Sequence, residues 1–360
     1  MNIRDNWWKA LAVFLVAYSL LAGLWIPLGA GITDVELSKL ECGELNTFRV
    51  GGYNTYFKQD EKDLTAQIRL DEHRAIPVQS IKAHSETEVA LSFLVPSGPI
   101  TTDTTPIGKN KRARFPILEV WGPKTEKATL DAAFRFVDRT PDTLRKGQII
   151  TAFRKSYSTQ LRFPFINRLE ETVRNLYYHV PMWFGMMLIM LGSVVCSILY
   201  LRTQNIEYDH RSKSLALIGT LFGVLGLVTG ALWAKYTWGQ YWSWDVKQNM
   251  SAVAVLIYFA YFVLRNSFDD PLTEAKSAAA YNIFAFASLV PLLFIIPRLA
   301  QSLHPGADGN PAFGSYDLDA SMRMVFYPSI IGWTLLGVWL AQIHLRQARI
   351  EHFLNEEEYN

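Results

Sequence analysis

The sequence predicts an all-α polytopic membrane protein with six transmembrane helices and one inserted extracytoplasmic β-rich domain. Three observations carry that prediction. Hydrophobic residues make up 50% of the 360 and gather into six long runs, each near the roughly 20 residues that a spanning helix needs. Short connectors between the runs place Lys and Arg on alternate sides, as the positive-inside rule describes. The one long connector, 33–180, instead holds short, partly alternating apolar stretches broken by Gly, Pro and Asp, which are strand and turn signals.

The first run, Trp8 to Ile32, reads as a retained transmembrane helix within 1–32. Its length exceeds that of a signal-peptide core, and "PLGAGIT" is a weak cleavage site. Residues 33–150 read as a small β-rich domain on the strength of "TFRVGGYNTYF", "AQIRL", "EVALSFLVP" and "AAFRFV", with a sandwich as the expected form. Residues 151–178 are a linker and a helix, "NRLEETVRNLYY". A five-helix membrane domain then fills 179–347: Met182 to Leu201, Leu215 to Ala234, Met250 to Leu264, Ala278 to Ile296 and Phe326 to Leu345. The fourth of the six runs is short unless its helix begins nearer Asp245. Pro291 inside the fifth is tolerable where neighbouring helices satisfy the freed carbonyl. Residues 348–360 form a cytoplasmic tail.

Arg202, Arg211 and Lys213, then Arg265 and Lys276, then Arg346 and Arg349 mark the cytoplasmic side, together with Arg4 and Lys9. The segment 33–180, the connector after the third run and the loop 297–325 are then external. A net charge of only +2 gives no field suited to nucleic acid. Cys42 and Cys196 are the two cysteines; they form neither a CxxC motif nor a disulfide framework.

The connector "WAKYTWGQYWSWDVKQ", 233–248, concentrates flat aromatic side chains at a membrane edge. An interfacial aromatic belt is the bland reading, but belts are usually scattered over several helix ends. Read as an interfacial turn or helix, the stretch puts Trp238 and Trp242 four apart on one face. Two external histidines flank it: His179 in "NLYYHVP" and His304 in "LAQSLHPG". Two imidazoles can fill both axial positions of a haem iron. Aromatic rings suit the porphyrin faces. Its propionates want cations, and Arg174, Arg298, Arg323, Lys235 and Lys247 are all external in this topology. Zinc would require three or four clustered ligands that one side of the sequence does not offer. A quinone could use the aromatics with less need for two histidines. No paired carboxylates or nucleophile–base set appears outside, so no catalytic residue is assigned and the chain is read as a non-enzyme.

"WGQYWSWD", Trp238 to Asp245, resembles the tryptophan-rich WWD motif of proteins that handle haem in cytochrome c maturation. "LYYHVP" and "SLHPG" resemble the two histidine motifs of the CcmC branch, in the same order along six segments. The resemblance covers the first segment and about 175–350. It implies non-covalent haem b held between His179 and His304, a platform of Trp238, Trp242, Trp244 and Asp245, and a close backbone turn at Gly239. It implies a bacterial inner membrane location, with the haem site and the inserted domain facing the periplasm. It implies partners too: a periplasmic haem chaperone of the CcmE type, the ABC-type subunits of the maturation system, and the lipid bilayer. The long insertion departs from the usual CcmC pattern, in which that loop is short. The alternatives are a CcsA-type cytochrome c synthetase subunit, whose membrane-centre histidines are missing here, and a haem- or quinone-binding respiratory subunit.

Overall fold

The computed structural model of the chain describes residues 3–71, 73–97, 116–131, 133–137, 148–152, 160–167, 169–304 and 318–358, with side chains from 6 to 350. It contains two compact units, one of Met1–Trp25 with Glu171–Asn360 and one of Ile26–Glu170.

The helical unit opens with α1 (Ile3–Trp25) and continues, beyond the one-turn α2 (Phe57–Asp60) of the other unit, with α3 (His179–Thr203), α4 (Ile206–Trp238), α5 (Val246–Arg265), α6 (Pro271–Val290), α7 (Ile296–Leu299) and α8 (Ala320–Glu358). Six helices among the described residues are long and apolar enough to cross a membrane, and the chain is a multi-pass membrane protein. The short fourth run is resolved by its cap: Asp245 accepts the Lys247 N–H, so α5 starts at Val246 and reaches 20 residues. Pro291 does not stop its helix. It opens a π turn, Pro291–Ile295, that leads into α7, as expected where a missing N–H forces the ladder to shift. The predicted helix before the second run is a 3₁₀ helix, Glu170–Tyr177.

α3 and α4 pack closely because α4 is small along the facing stripe. Gly219, Gly223 and Gly226 lie against Met190, Met186 and Trp183 in turn, so near that an added Cβ would come within 3 Å of each side chain. Such close backbone approach is the usual use of small residues between membrane helices. Buried Asn282 of α6 donates to the hydroxyls of Ser193 and Ser197 at 2.8 and 2.9 Å, adding polar glue to the same bundle. At the opposite end from His179, Arg265 forms a two-pronged pair with Asp209 and a 2.9 Å contact with Glu274, tying α4, α5 and α6 together.

The second unit is β. Its strands are β1 (Gly31–Val35), β2 (Lys39–Glu41), β3 (Leu45–Tyr53), β4 (Thr65–Arg69), β5 (Arg74–Ala83), β6 (Glu88–Leu94), β7 (Ile117–Gly122), β8 (Glu126–Leu130), β9 (Arg135–Val137) and β10 (Ile150–Thr151). The main sheet runs β1-β3-β6-β5-β4-β7-β8, antiparallel throughout, with β10 beside β5; β2 and β9 pair separately in parallel. Alternation drives it: Asn46, Phe48 and Val50 point inward from β3 while their neighbours point out. Phe48, Phe93 and Phe134 meet in the core, with centroids 5.8 and 4.9 Å from Phe48.

These strands overturn the all-α class. Long apolar runs dominate a hydropathy reading, whereas strands of five to ten residues contribute only short period-2 signals. Yet the described residues include a β unit of ten strands as well as the membrane helices, and the inserted domain is part of the fold class. The expected sandwich also gives way to one sheet that curls until β1 and β8 lie beside each other, which protects edges that an open sheet would expose. Finally, α1 ends at Trp25, ahead of Pro27, and Gly31–Val35 is a strand rather than the end of the predicted first helix.

Candidate functional site

The aromatic connector is a helix stop, a pinned loop and a helix start in succession. α4 ends where the Gly239 N–H meets the Lys235 carbonyl at 3.0 Å, with Gly239 at φ 84°. That left-handed cap is glycine's by conformation. An added Cβ would meet nothing within 4 Å, so space is not the reason for it. The Lys235 ammonium donates to the Gly239 carbonyl at 2.9 Å. The Gln248 side-chain oxygen accepts from both the amide and the hydroxyl of Ser243, each at 2.9 Å. Trp244 sits at φ 57° with its ring 78% exposed, and Asn249 holds its carbonyl at 2.8 Å.

This geometry removes the expected common helical face. Trp238 is the last residue of α4, while Trp242 lies in the non-helical loop. Trp238 packs edge-on to Trp233 at 4.9 Å and to the His304 ring at 4.7 Å. Trp242 packs edge-on to Trp244 at 6.4 Å. The tryptophans thus form two pairs, of which only the first touches a histidine.

His304 follows α7, and its Nδ1 lies 2.8 Å from Asp245 Oδ1. Asp245 also accepts from the Ser302 hydroxyl at 3.0 Å, the Leu303 amide at 2.8 Å and the Lys247 amide at 2.9 Å. Burial alone would push this carboxyl up. The hydrogen bonds from His304, Leu303 and Lys247 outweigh it and hold the group well below the usual carboxylate range. A carboxylate accepts, so His304 donates from Nδ1, and in the neutral imidazole that leaves Nε2 with the lone pair.

His179 begins α3, and its Nδ1 lies 3.1 Å from Thr229 Oγ1 on α4. The single Thr229 hydroxyl hydrogen is directed to the carbonyls of Leu225 at 2.7 Å and Gly226 at 3.2 Å. Toward His179 that oxygen is then an acceptor, the Gly226 backbone also bonds the ring, and in the neutral tautomer with Nδ1 protonated Nε2 has the free lone pair. Its ring rests on Gly230, where an added Cβ would come 2.7 Å from Cε1. Trp183 stands edge-on to it at 6.3 Å. The two imidazoles are within electrostatic range of each other. Among the described residues no cluster of three or more His, Cys, Asp or Glu side chains suits a metal ion, so any metal centre here would draw on the two histidines and an outside scaffold.

The candidate cations separate. Arg174 is committed: it donates to the Gly23 carbonyl at 2.8 Å and pairs with Glu171 at 2.5 Å. Arg323 lies in the first turn of α8 with its Nε buried and without a hydrogen-bond partner. Arg298, exposed on α7, lies within electrostatic range of Lys247, two residues past Asp245. Lys235 serves the α4 cap. Pro305 and Gly306 of the second histidine motif lie outside the described residues.

The family model described as "Heme exporter protein C" matches residues 132–359, well over half of the sequence. The chain belongs to that family. It is 32% identical over 187 residues to heme exporter protein C of Bradyrhizobium diazoefficiens, covering 50% of this chain and 66% of that one. It is 27% identical over 176 residues to the protein of the same name from Escherichia coli strain K12, covering 49% and 70%. A third, from Paracoccus denitrificans, is 27% identical over 175 residues, covering 49% and 72%. The matches thus span about two thirds of these relatives. Residues 1–131, with most of the β unit, lie outside the family match.

Thr229, Gly230, Trp183, Trp233 and Ser302 join the site without having been singled out from sequence. Trp233 lay within the quoted stretch, and its contact with His304 at 5.7 Å was within reach of a sequence reading. The others depend on which face of α4 meets α3 and on how the chain folds back after α7, and a Thr or Gly inside an apolar run carries no such signal.

Proposed function

We propose that this protein holds haem b at the outer face of a bacterial inner membrane, between His179 and His304, and passes it to a periplasmic haem chaperone of the CcmE type. The observation that carries the reading is the matched hydrogen bonding of the two imidazoles. Each has Nδ1 engaged, by Asp245 in one case and Thr229 in the other, which leaves Nε2 as the nitrogen for a metal. Family membership supports a haem-handling role in cytochrome c maturation. Haem is cargo here, and it supplies the iron that two imidazoles can grip.

The chain's own residues orient and shield. Trp238 and Trp233 wall the His304 side with apolar surface. Exposed Trp244 offers a ring to a porphyrin face or to the acceptor. Arg298 and Lys247 supply positive charge for propionates beside Asp245, with Arg323 a third cation, whereas Arg174 keeps its structural bonds. No proton need move: the task is differential binding, with no bond-making by an acid or base. The ABC-type subunits of the maturation system would release the loaded chaperone.

The deciding experiment is spectroscopy of the purified protein with pyridine haemochrome quantification. Wild type should carry a six-coordinate low-spin haem b. A His179→Ala/His304→Ala double variant that keeps that spectrum would overturn the assignment, and a quinone without haem would point to a respiratory subunit.

A further inference from the structure

The two histidines are held by unlike partners. His304 Nδ1 donates to a buried carboxylate, and the same carboxylate holds Ser302 and the Leu303 amide of its own connector. The His304 amide in turn donates to the Ser302 hydroxyl at 3.1 Å. His179 Nδ1 lies 3.1 Å from a neutral hydroxyl, the ring also bonds the Gly226 backbone, which is likewise neutral, and it rests on the bare Cα of Gly230.

A charge-assisted hydrogen bond is roughly twice as strong as a neutral one. A carboxylate on Nδ1–H also draws that proton away and makes the Nε2 lone pair a better donor to a metal. A hydroxyl does this far less. We infer that the two axial bonds are unequal: His304 is the retained ligand, and His179 is the ligand released at handover, with Thr229 and Gly230 as its positioning residues. This deepens the haem reading above and rests on it.

Helix mechanics pull the other way, since His179 stands on a continuous 25-residue helix and His304 on a connector. The connector, however, is tied to the same carboxylate at Ser302, Leu303 and His304, which gives it the anchoring that a helix would supply. In the exchange, the bond between iron and His179 Nε2 breaks and its electron pair stays on Nε2. A Lewis base of the acceptor donates a pair to the vacated position. The Nδ1 proton stays on His179, hydrogen-bonded to Thr229, so no proton or electron is transferred.

The test uses the full-length protein, purified in detergent, loaded with haem b, reduced and exposed to carbon monoxide, which takes the place of the weaker ligand. The C–O and Fe–C stretching bands then report the imidazole opposite. Expected: the bands shift on Asp245→Asn, stay unchanged on Thr229→Val, and are the same in His179→Ala as in wild type but different in His304→Ala. Haem loss to excess apomyoglobin should be on the order of 10-fold faster from His304→Ala than from His179→Ala. Bands that follow Thr229→Val and ignore Asp245→Asn would overturn the assignment. So would equal loss rates for the two histidine variants, and that comparison stands even if Asp245→Asn does not fold. A wild-type protein that binds no haem would sink the proposed function, a failure distinguishable from these.

Discussion

Asp245→Asn is the most informative single change, because one carboxylate collects four donors. Oδ1 takes His304, Ser302 and the Lys247 amide, and Oδ2 takes the Leu303 amide. An asparagine that leaves its oxygen at the Oδ1 position keeps three bonds at neutral strength but turns an NH₂ group toward the Leu303 N–H. Flipping the amide turns the NH₂ toward three donors, which is worse. The mismatch at Leu303 costs about 1–3 kcal/mol, and the loss of charge on the His304 bond costs roughly 1 kcal/mol more. Only the His304 share reaches haem affinity, and an outer partner of a metal-ligating His is typically worth about 10–100-fold. The assay is haem per protein at matched membrane abundance, followed by dissociation rate in detergent. The pH profile adds a sign. The folded carboxyl lies below its unfolded value of about 3.9, so its stabilisation is complete above that value and is lost as pH falls through the folded one. Wild type should therefore outlast Asp245→Asn in thermal unfolding at pH 7 and at pH 5, and the gap should close in stronger acid. Wild-type haem content, dissociation rate and thermal midpoint in the Asn variant would refute the reasoning.

Three further outcomes are expected. Cysteine labelling should reach Gln240→Cys from the external side and Lys213→Cys from the cytoplasmic side, both being exposed; the reverse pattern would invert the topology. Trp238→Ala removes ring contacts to Trp233 and His304 and should cost about 0.5–1.5 kcal/mol per aromatic pair. The protein should insert at normal abundance yet load the chaperone poorly in cells, and normal loading would return the tryptophans to the role of interfacial anchors. Arg265→Leu strands the buried Asp209 carboxylate and should lower stability by about 3–5 kcal/mol; adding Asp209→Leu should restore part of the thermal midpoint, and a double variant no better than the single would exclude a dominant buried-charge penalty.

Much of the molecule is legible in the sequence. Six apolar runs give six helices because a bilayer-length stretch of apolar side chains has few other stable arrangements. "TFRVGGY", "AQIR" and "EVALSFL" became β3, β4 and β6 because their alternation matches the pleat. The histidine–aromatic–histidine order is likewise local information. Strand partners are not, since pairing joins residues distant in sequence, as Leu45 with Leu94 and Arg69 with Ile117 both do within one sheet. Nor is the π turn at Pro291, which depends on its neighbours.

The sequence by itself determined the residue types at the candidate site: two histidines, a run of tryptophans, one aspartate and several cations. Only the tertiary structure decided their relations. It put Thr229 behind His179 because a glycine stripe on α4 sets the depth of α3, and it put Asp245 behind His304 because the chain folds back after α7 onto the start of α5. It withdrew Arg174 into bonds with Glu171 and the end of α1 while leaving Arg298 exposed beside Lys247. The physical reason is that a side chain's identity is encoded locally. Its partner, and with it which ring nitrogen of each histidine is engaged, is set by distances between helices that no local pattern specifies.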